Sequence, residues 1–352
     1  MDETSDPDAA GRPAEHHDPV RWDRRKVLAA GSAVAGAVWV APAILSVDAA
    51  AAATAPPPLL TGFAYVATQV SDYVAVIDLS TNTGLSSPTV SGSPYSVAVS
   101  PDHTRVYSAN QAFGTLSVID TGTRALIDTI SIGISAEGVA VTPDGTRAYV
   151  SDAADGQVAV VDTTTNTVLT AIPIAGSPQL LAISPDGSQV YVALTDSNTV
   201  QTIDTASNLA GTTIPVGLYA FGVAFNAAGD RAYVTNLVGG SVSVIDVDLG
   251  SAIATVPVGS QPTGLAVDPA GSRVYVANYD SNDVSVIATA SNTVIATIAV
   301  GVGPSGVAVD PAGDFVYVTN QDDGTVSVID TTTGAVVDTF PVGGAPYGIV
   351  VF

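Results

Sequence analysis

Tyrosine recurs at positions 65, 107, 149, 191, 233, 275 and 317, each 42 residues after the last. Thirteen residues beyond each stands an aspartate, at 78, 120, 162, 204, 246 and 330, and only Ala288 breaks the series. Fixed self-similarity at this period marks a stacked or radial repeat architecture. Inside a unit the apolar residues alternate with period two, as in Arg273-Val274-Tyr275-Val276-Ala277-Asn278, which is a strand pattern. No stretch after residue 60 carries helical periodicity. The last complete unit divides into four strands, a to d, at 306–309, 315–319, 325–329 and 335–342. Asp310-Pro311-Ala312-Gly313, a loop at 320–324, and Asp330-Thr331-Thr332-Thr333-Gly334 separate them. Those segments suit chain reversal.

The count predicts a closed ring. The first unit, 62–91, supplies strands b, c and d, and the chain ends at 348–352 on a strand a with nothing after it. The last strand completes the first unit and leaves no ring edge open. The expected fold is all-β: a seven-bladed β-propeller over 62–352, with four antiparallel strands per blade.

Tyr233-Val234-Thr235-Asn236 and Tyr317-Val318-Thr319-Asn320, with Tyr275-Val276-Ala277-Asn278 and Tyr149-Val150-Ser151-Asp152 as near copies, resemble the signature of the YVTN-family β-propellers. The resemblance covers the whole repeat domain. It implies an exported or cell-surface protein and names no activity.

The N-terminus reads as an address. Residues 1–23 are polar, Arg24-Arg25-Lys26 follows, and 27–47 carries no charge before an Ala-rich stretch at 49–53. This resembles a twin-arginine export signal over 1–53, with an Ala/Pro-rich linker at 54–61. The domain is therefore expected to be secreted or at the cell surface, touching a membrane only through an uncleaved signal.

Composition excludes much chemistry. There is no cysteine, so disulfides and thiolate sites are ruled out. Past residue 54 stand 24 Asp and Glu137 against five Arg and no Lys, a net of −20. That surface repels phosphate backbones, so no nucleic-acid partner is expected. The one histidine of the domain, His103, lies in an a–b hairpin, which removes histidine-based metal sites and a Ser-His-Asp arrangement from the channel.

The residues present in every blade are expected to maintain blades: the tyrosine packs between sheets with its hydroxyl on a partner, and the aspartate caps the c–d turn. Function belongs where blades differ. The start of strand a faces the mouth of the central channel, where the sequence places Tyr95, Glu137, Gln179, Phe221, Thr263, Ser305 and Tyr347. These are the ligand-binding candidates. The d–a and b–c loops share the mouth face, which carries Glu137 with Asp72, Asp152, Asp155, Asp196, Asp280, Asp283, Asp322 and Asp323 and no basic residue. Arg105, Arg147, Arg231, Arg273 and Arg124 belong to the opposite face. Asp280, Asp283, Asp322 and Asp323 are weak metal candidates whose oxygens suit calcium; no catalytic residue and no cofactor is assigned. The reading is a monomeric binding or scaffold module for a cationic or neutral ligand or protein, and the rival is a lactonase-like hydrolase or lyase using Glu137 and a divalent cation.

Overall fold

A computed structural model describes residues 62–352, so the export signal expected over 1–53 and the linker at 54–61 lie outside the described residues. The described chain forms seven four-stranded antiparallel sheets, each running a-b-c-d. The first blade takes its strand a from the chain terminus: Pro346–Val351 pairs with Phe63–Thr68, which pairs with Tyr73–Asp78. Blades 2 to 7 follow in sequence, from Pro94–Val99 to Ala335–Pro341. Ring closure by the terminal strand is thus as the sequence predicts.

The turns follow from their side chains. In the a–b hairpins Asp102, Asp144 and Asp186 accept from the amides of Thr104, Thr146 and Ser188. In the c–d turns Asp120 takes the Thr123 amide, Asp204 the Ser207 amide and Asp330 the amides of Thr332 and Thr333. A carboxylate fixed by amide donors is an Asx turn; the Thr123 amide holds Asp120, and the Thr165 and Thr164 amides hold Asp162, below the usual carboxylate range.

The core lies between sheets. Tyr149 of blade 3 packs with Val158, Val160 and Ile172 of its own blade and Val190, Val192 and Ile203 of blade 4. Burying each such aliphatic side chain contributes about 1.5–3 kcal/mol, so neighbouring blades hold one another. The tyrosine hydroxyls differ from one another. Tyr149 donates to Asn208 Oδ1 at 2.7 Å, whereas the Tyr317 hydroxyl is buried without a partner and its pKa is raised by burial. Polar clamps cross the seams as well. Arg147 and Arg273 donate from Nη1 to the Thr205 and Thr331 carbonyls of the next blade, each at 2.7 Å, and Arg105 reaches Thr163 in the same way.

Two details depart from the sequence reading. Strand d of blade 1 contains only Thr83–Gly84, because Pro88 has no amide to donate to a ladder. The chain there covers strand c through scattered bonds, such as the Val74 amide to the Pro88 carbonyl at 3.1 Å. A short 3-10 turn, Gln111–Phe113, interrupts the strand pattern in the b–c loop of blade 2.

Candidate functional site: the channel-mouth face

In all seven blades the b–c loop hydrogen-bonds through its backbone to the d–a loop, as in Ala153 to Ser135 at 3.0 Å, Leu237 to Tyr219 at 2.9 Å and Gln321 to Gly303 at 2.8 Å. These loops form one continuous face. Bonds also cross between blades: Asp72 accepts from the Ser93 amide at 3.0 Å and Asn198 from the Tyr219 amide at 2.7 Å. The a–b hairpins and c–d turns meet at the other end, as in Thr163 to Thr146 at 3.1 Å. Every arginine among the described residues lies at that other end.

Strand a enters the mouth face through a bulge. In each blade from 3 to 7 the register shifts between its first and fourth residues, as between Pro304 and Val307. Bulges re-aim side chains, and the second residue of the strand is the candidate position. The third is glycine in five blades, and in Gly264 and Gly306 a Cβ would collide with the Ser305 and Tyr347 carbonyls of the next blade. Glycine is what lets successive inner strands approach so closely.

All seven candidate side chains are buried. Tyr95 and Tyr347 stack, and both join Phe221 and Leu237 in one apolar cluster with Leu180 and Tyr219 packed against it. Members of blades 1, 2, 4 and 5 thus meet across the ring, and the channel mouth has a packed floor. Burial above all raises the phenol pKa of Tyr95 and Tyr347; the Glu137 charge adds to both, while the Tyr95 hydroxyl opposes the rise at Tyr347. Thr263 and Ser305 are spent on blade junctions: Thr263 Oγ1 lies 3.1 Å from the Ser305 carbonyl and Ser305 Oγ 3.3 Å from that of Pro346. Gln179 is buried in the same ring of positions, and its carbonyl accepts from Ser151 Oγ.

Glu137 is the exception in chemistry. Its Oε1 accepts from Gln111 Nε2 at 2.9 Å and Ser135 Oγ at 3.0 Å, while its Oε2 is buried without a hydrogen-bond partner. Burial raises its pKa, the donors from Gln111 and Ser135 oppose the rise, and the Asp152 charge adds to it. Asp152 itself is buried, which raises its pKa, but the amides of Ser135 and Ile134 outweigh that and leave it lowered. Its hydrogen bond to Asp155 raises the pKa of the latter.

The acids proposed as metal ligands each accept a hydrogen bond from the loops and strand ends around them. Asp280 accepts from Gln261 Nε2, Asp283 from Asn278 Nδ2 at 2.6 Å, Asp322 from the Tyr279 hydroxyl at 2.8 Å and Asp323 from the Val302 amide at 2.6 Å. Among the described residues no three His, Cys, Asp or Glu side chains converge as a metal would need.

Leu237, Leu180 and Gln111 had no place in the sequence reading of the site. Leu237 and Gln111 open the b–c loop, where the seven blades carry Gln, Gln, Ala, Thr, Leu, Tyr and Gln. The same variation that singles out the strand a position was present there.

The fold and site define a seven-bladed β-propeller with an apolar cluster joining blades 1, 2, 4 and 5 and a loop face of one charge sign. A family model described as lactonase, 7-bladed beta-propeller, matches residues 222–349, which span blades 5 to 7 and part of the closing strand. The chain is similar to the solved structure of Kuenenia stuttgartiensis hydrazine synthase at 20% identity and a TM-score of 0.66, covering 74% of this chain and 95% of that one. It is also similar to a functionally unknown protein from Desulfotomaculum acetoxidans at 20% identity and a TM-score of 0.74, covering 83% of this chain and 99% of that one. No curated protein matches the chain. Likeness at this identity speaks for fold alone.

Proposed function

We propose that this chain is an exported, non-enzymatic propeller that binds a cationic ligand or a basic protein at its loop face. The observation that carries the reading is that the loop face holds carboxylates and no arginine, whereas the opposite end mixes aspartates such as Asp102, Asp120 and Asp144 with the arginines. Asp72, Asp155, Asp196, Asp280, Asp322 and Asp323 lie on the b–c loops, while all five arginines of the domain lie at the opposite end. Like charges set around one face focus cations and repel anions. The packed floor of Tyr95, Phe221, Leu237 and Tyr347 supports a partner that rests on the loops instead of entering the channel. The test is binding to immobilised poly-L-lysine over a salt series. Asp196→Asn, Asp280→Asn and Asp322→Asn together should weaken binding at least tenfold, and the same three-charge change at Asp102, Asp144 and Asp186 should leave it near wild type. Equal losses from the two triples would refute the reading.

The lactonase model's match over residues 222–349 favours a second reading, a hydrolase or lyase using Glu137 and a divalent cation. The buried carboxyl of raised pKa and its unpartnered oxygen have the character of an acid–base group, although Glu137 stands outside the matched residues. A rise in melting midpoint with millimolar calcium, with δ-lactone hydrolysis lost in Glu137→Gln, would support it. An unchanged midpoint would argue against it.

A further inference from the structure

Val70, Phe113, Ile134, Leu218 and Val302 are large apolar side chains between 45% and 77% exposed. All five sit on b–c or d–a loops, hence on the acidic face. The other exposed large hydrophobics lie on the outer strands d, apart from Leu249 in a c–d turn. So the loop face combines apolar and acidic groups without arginine, while at the arginine end the exposed apolar side chains are Leu249 and those that open strands d, such as Leu209.

The apolar residues are interleaved with the acids, and two of them are held by acids. The Val302 amide donates to Asp323 Oδ2 at 2.6 Å and the Ile134 amide to Asp152 Oδ2 at 3.1 Å. The Val70 amide donates to the Gly344 carbonyl at 3.2 Å, two residues before Asp72, and Leu218 accepts from the Gly239 amide at 3.2 Å. The Phe113 ring lies over Gly92, where a Cβ would collide with it. Loop backbone fixed in this way loses little freedom on contact, which favours binding. A small inorganic cation would use the carboxylates and gain nothing from five exposed hydrophobics. Anionic lipid would be repelled by the same carboxylates. A protein surface uses both, with apolar side chains at the centre of the contact and charges around them.

We infer that the loop face docks a protein segment in which lysine or arginine side chains alternate with large apolar ones, the apolar groups seating on Phe113, Leu218 and Val302 and the cations on the neighbouring aspartates. This rests on the loop-face reading given above and specifies its partner.

The test uses two immobilised synthetic peptides of equal length and charge, one of lysine with serine and glycine, the other of lysine with leucine and phenylalanine. The propeller should bind the second at least tenfold more tightly. Phe113→Ser, Leu218→Ser and Val302→Ser together should bring the two affinities together with the melting midpoint unchanged; Leu218→Lys alone, which leaves the rest of the face intact, should weaken the apolar peptide more than the polar one. Equal affinity of the wild type for both peptides overturns this inference and leaves the charge reading standing. Failure to bind either peptide overturns both. A preference that survives both substitution sets places the contact elsewhere and overturns the inference. Binding to phosphatidylcholine vesicles that the triple serine variant loses would make the face a lipid-contacting one and overturn it too.

Discussion

The rings of Tyr95 and Tyr347 stack with centroids 4.2 Å apart and planes 25° apart, which joins the second blade to the strand that closes the ring. Both positions vary from blade to blade, and the pair links the two ends of the repeat array at the axis. The terminal strand is thereby held by this contact in addition to its ladder with Phe63–Thr68.

Truncation of that ring should therefore act on the closure itself. Tyr347→Ala should lower unfolding free energy by about 3–5 kcal/mol, the usual cost of removing a buried aromatic ring. Tyr347→Phe keeps the stack and should cost only about 1 kcal/mol. A double-mutant cycle with Tyr95→Ala, read by urea denaturation, should give a coupling of roughly 1 kcal/mol.

The threonine hydroxyls of the two Tyr-Val-Thr-Asn segments join blades. Thr319 Oγ1 donates to the Tyr347 carbonyl and accepts from the Gly306 amide, each at 2.7 Å; Thr235 Oγ1 does the same with Thr263 and Gly222 at 2.7 and 2.8 Å. Thr319→Val keeps the shape but strands a buried carbonyl and amide, so it should cost about 1–3 kcal/mol. In blade 6 the equivalent residue is Ala277, and Ala277→Ser should be close to neutral in the same urea assay, because Thr263 already bonds to the next strand.

Glu137 should make the ring less stable as pH rises. Its pKa in the folded protein lies above the ordinary value of 4.5 because of burial. The folded state therefore binds the proton more tightly than the unfolded chain does, and this preference stabilises the fold below 4.5 and fades as pH climbs through the raised value. Glu137→Gln removes the ionising group, so its melting midpoint should exceed that of wild type at pH 7 and converge with it in acid. A constant gap across that range would contradict the account.

Arginines that cross a seam should matter more than one that does not. Arg147 reaches the Thr205 carbonyl of blade 4, whereas Arg231 pairs with Asp246 of its own blade at 2.9 Å. Arg147→Ala should cost roughly 1 kcal/mol and Arg231→Ala about half of that, since partly exposed ion pairs contribute little. Differential scanning calorimetry of the two variants decides the order.

Seven tyrosines at one interval and an unpaired final strand made the ring, its blade count and its closure legible, because a repeat states its own geometry. The same periodicity assigned the arginines and the loop acids to opposite ends. It could not reveal that Tyr95, Phe221 and Tyr347 meet, since their positions are far apart in sequence and the contact depends on ring diameter. Nor could it reveal that Leu237, from a different loop register, completes the cluster. The irregular edge at 85–90 escaped for a local reason: Pro88 disrupts a ladder that the repeat phase alone would extend. Gly264 and Gly306 were visible as residues, but their purpose appears only when the next blade's carbonyl stands against them.

Carboxyl footprinting by mass spectrometry tests the central claim most directly. With poly-L-lysine bound, carbodiimide labelling should fall severalfold at Asp196, Asp280 and Asp322 and stay unchanged at Asp102, Asp144 and Asp186. Uniform protection of the two sets, or protection confined to the arginine face, would contradict a binding face built from the loops.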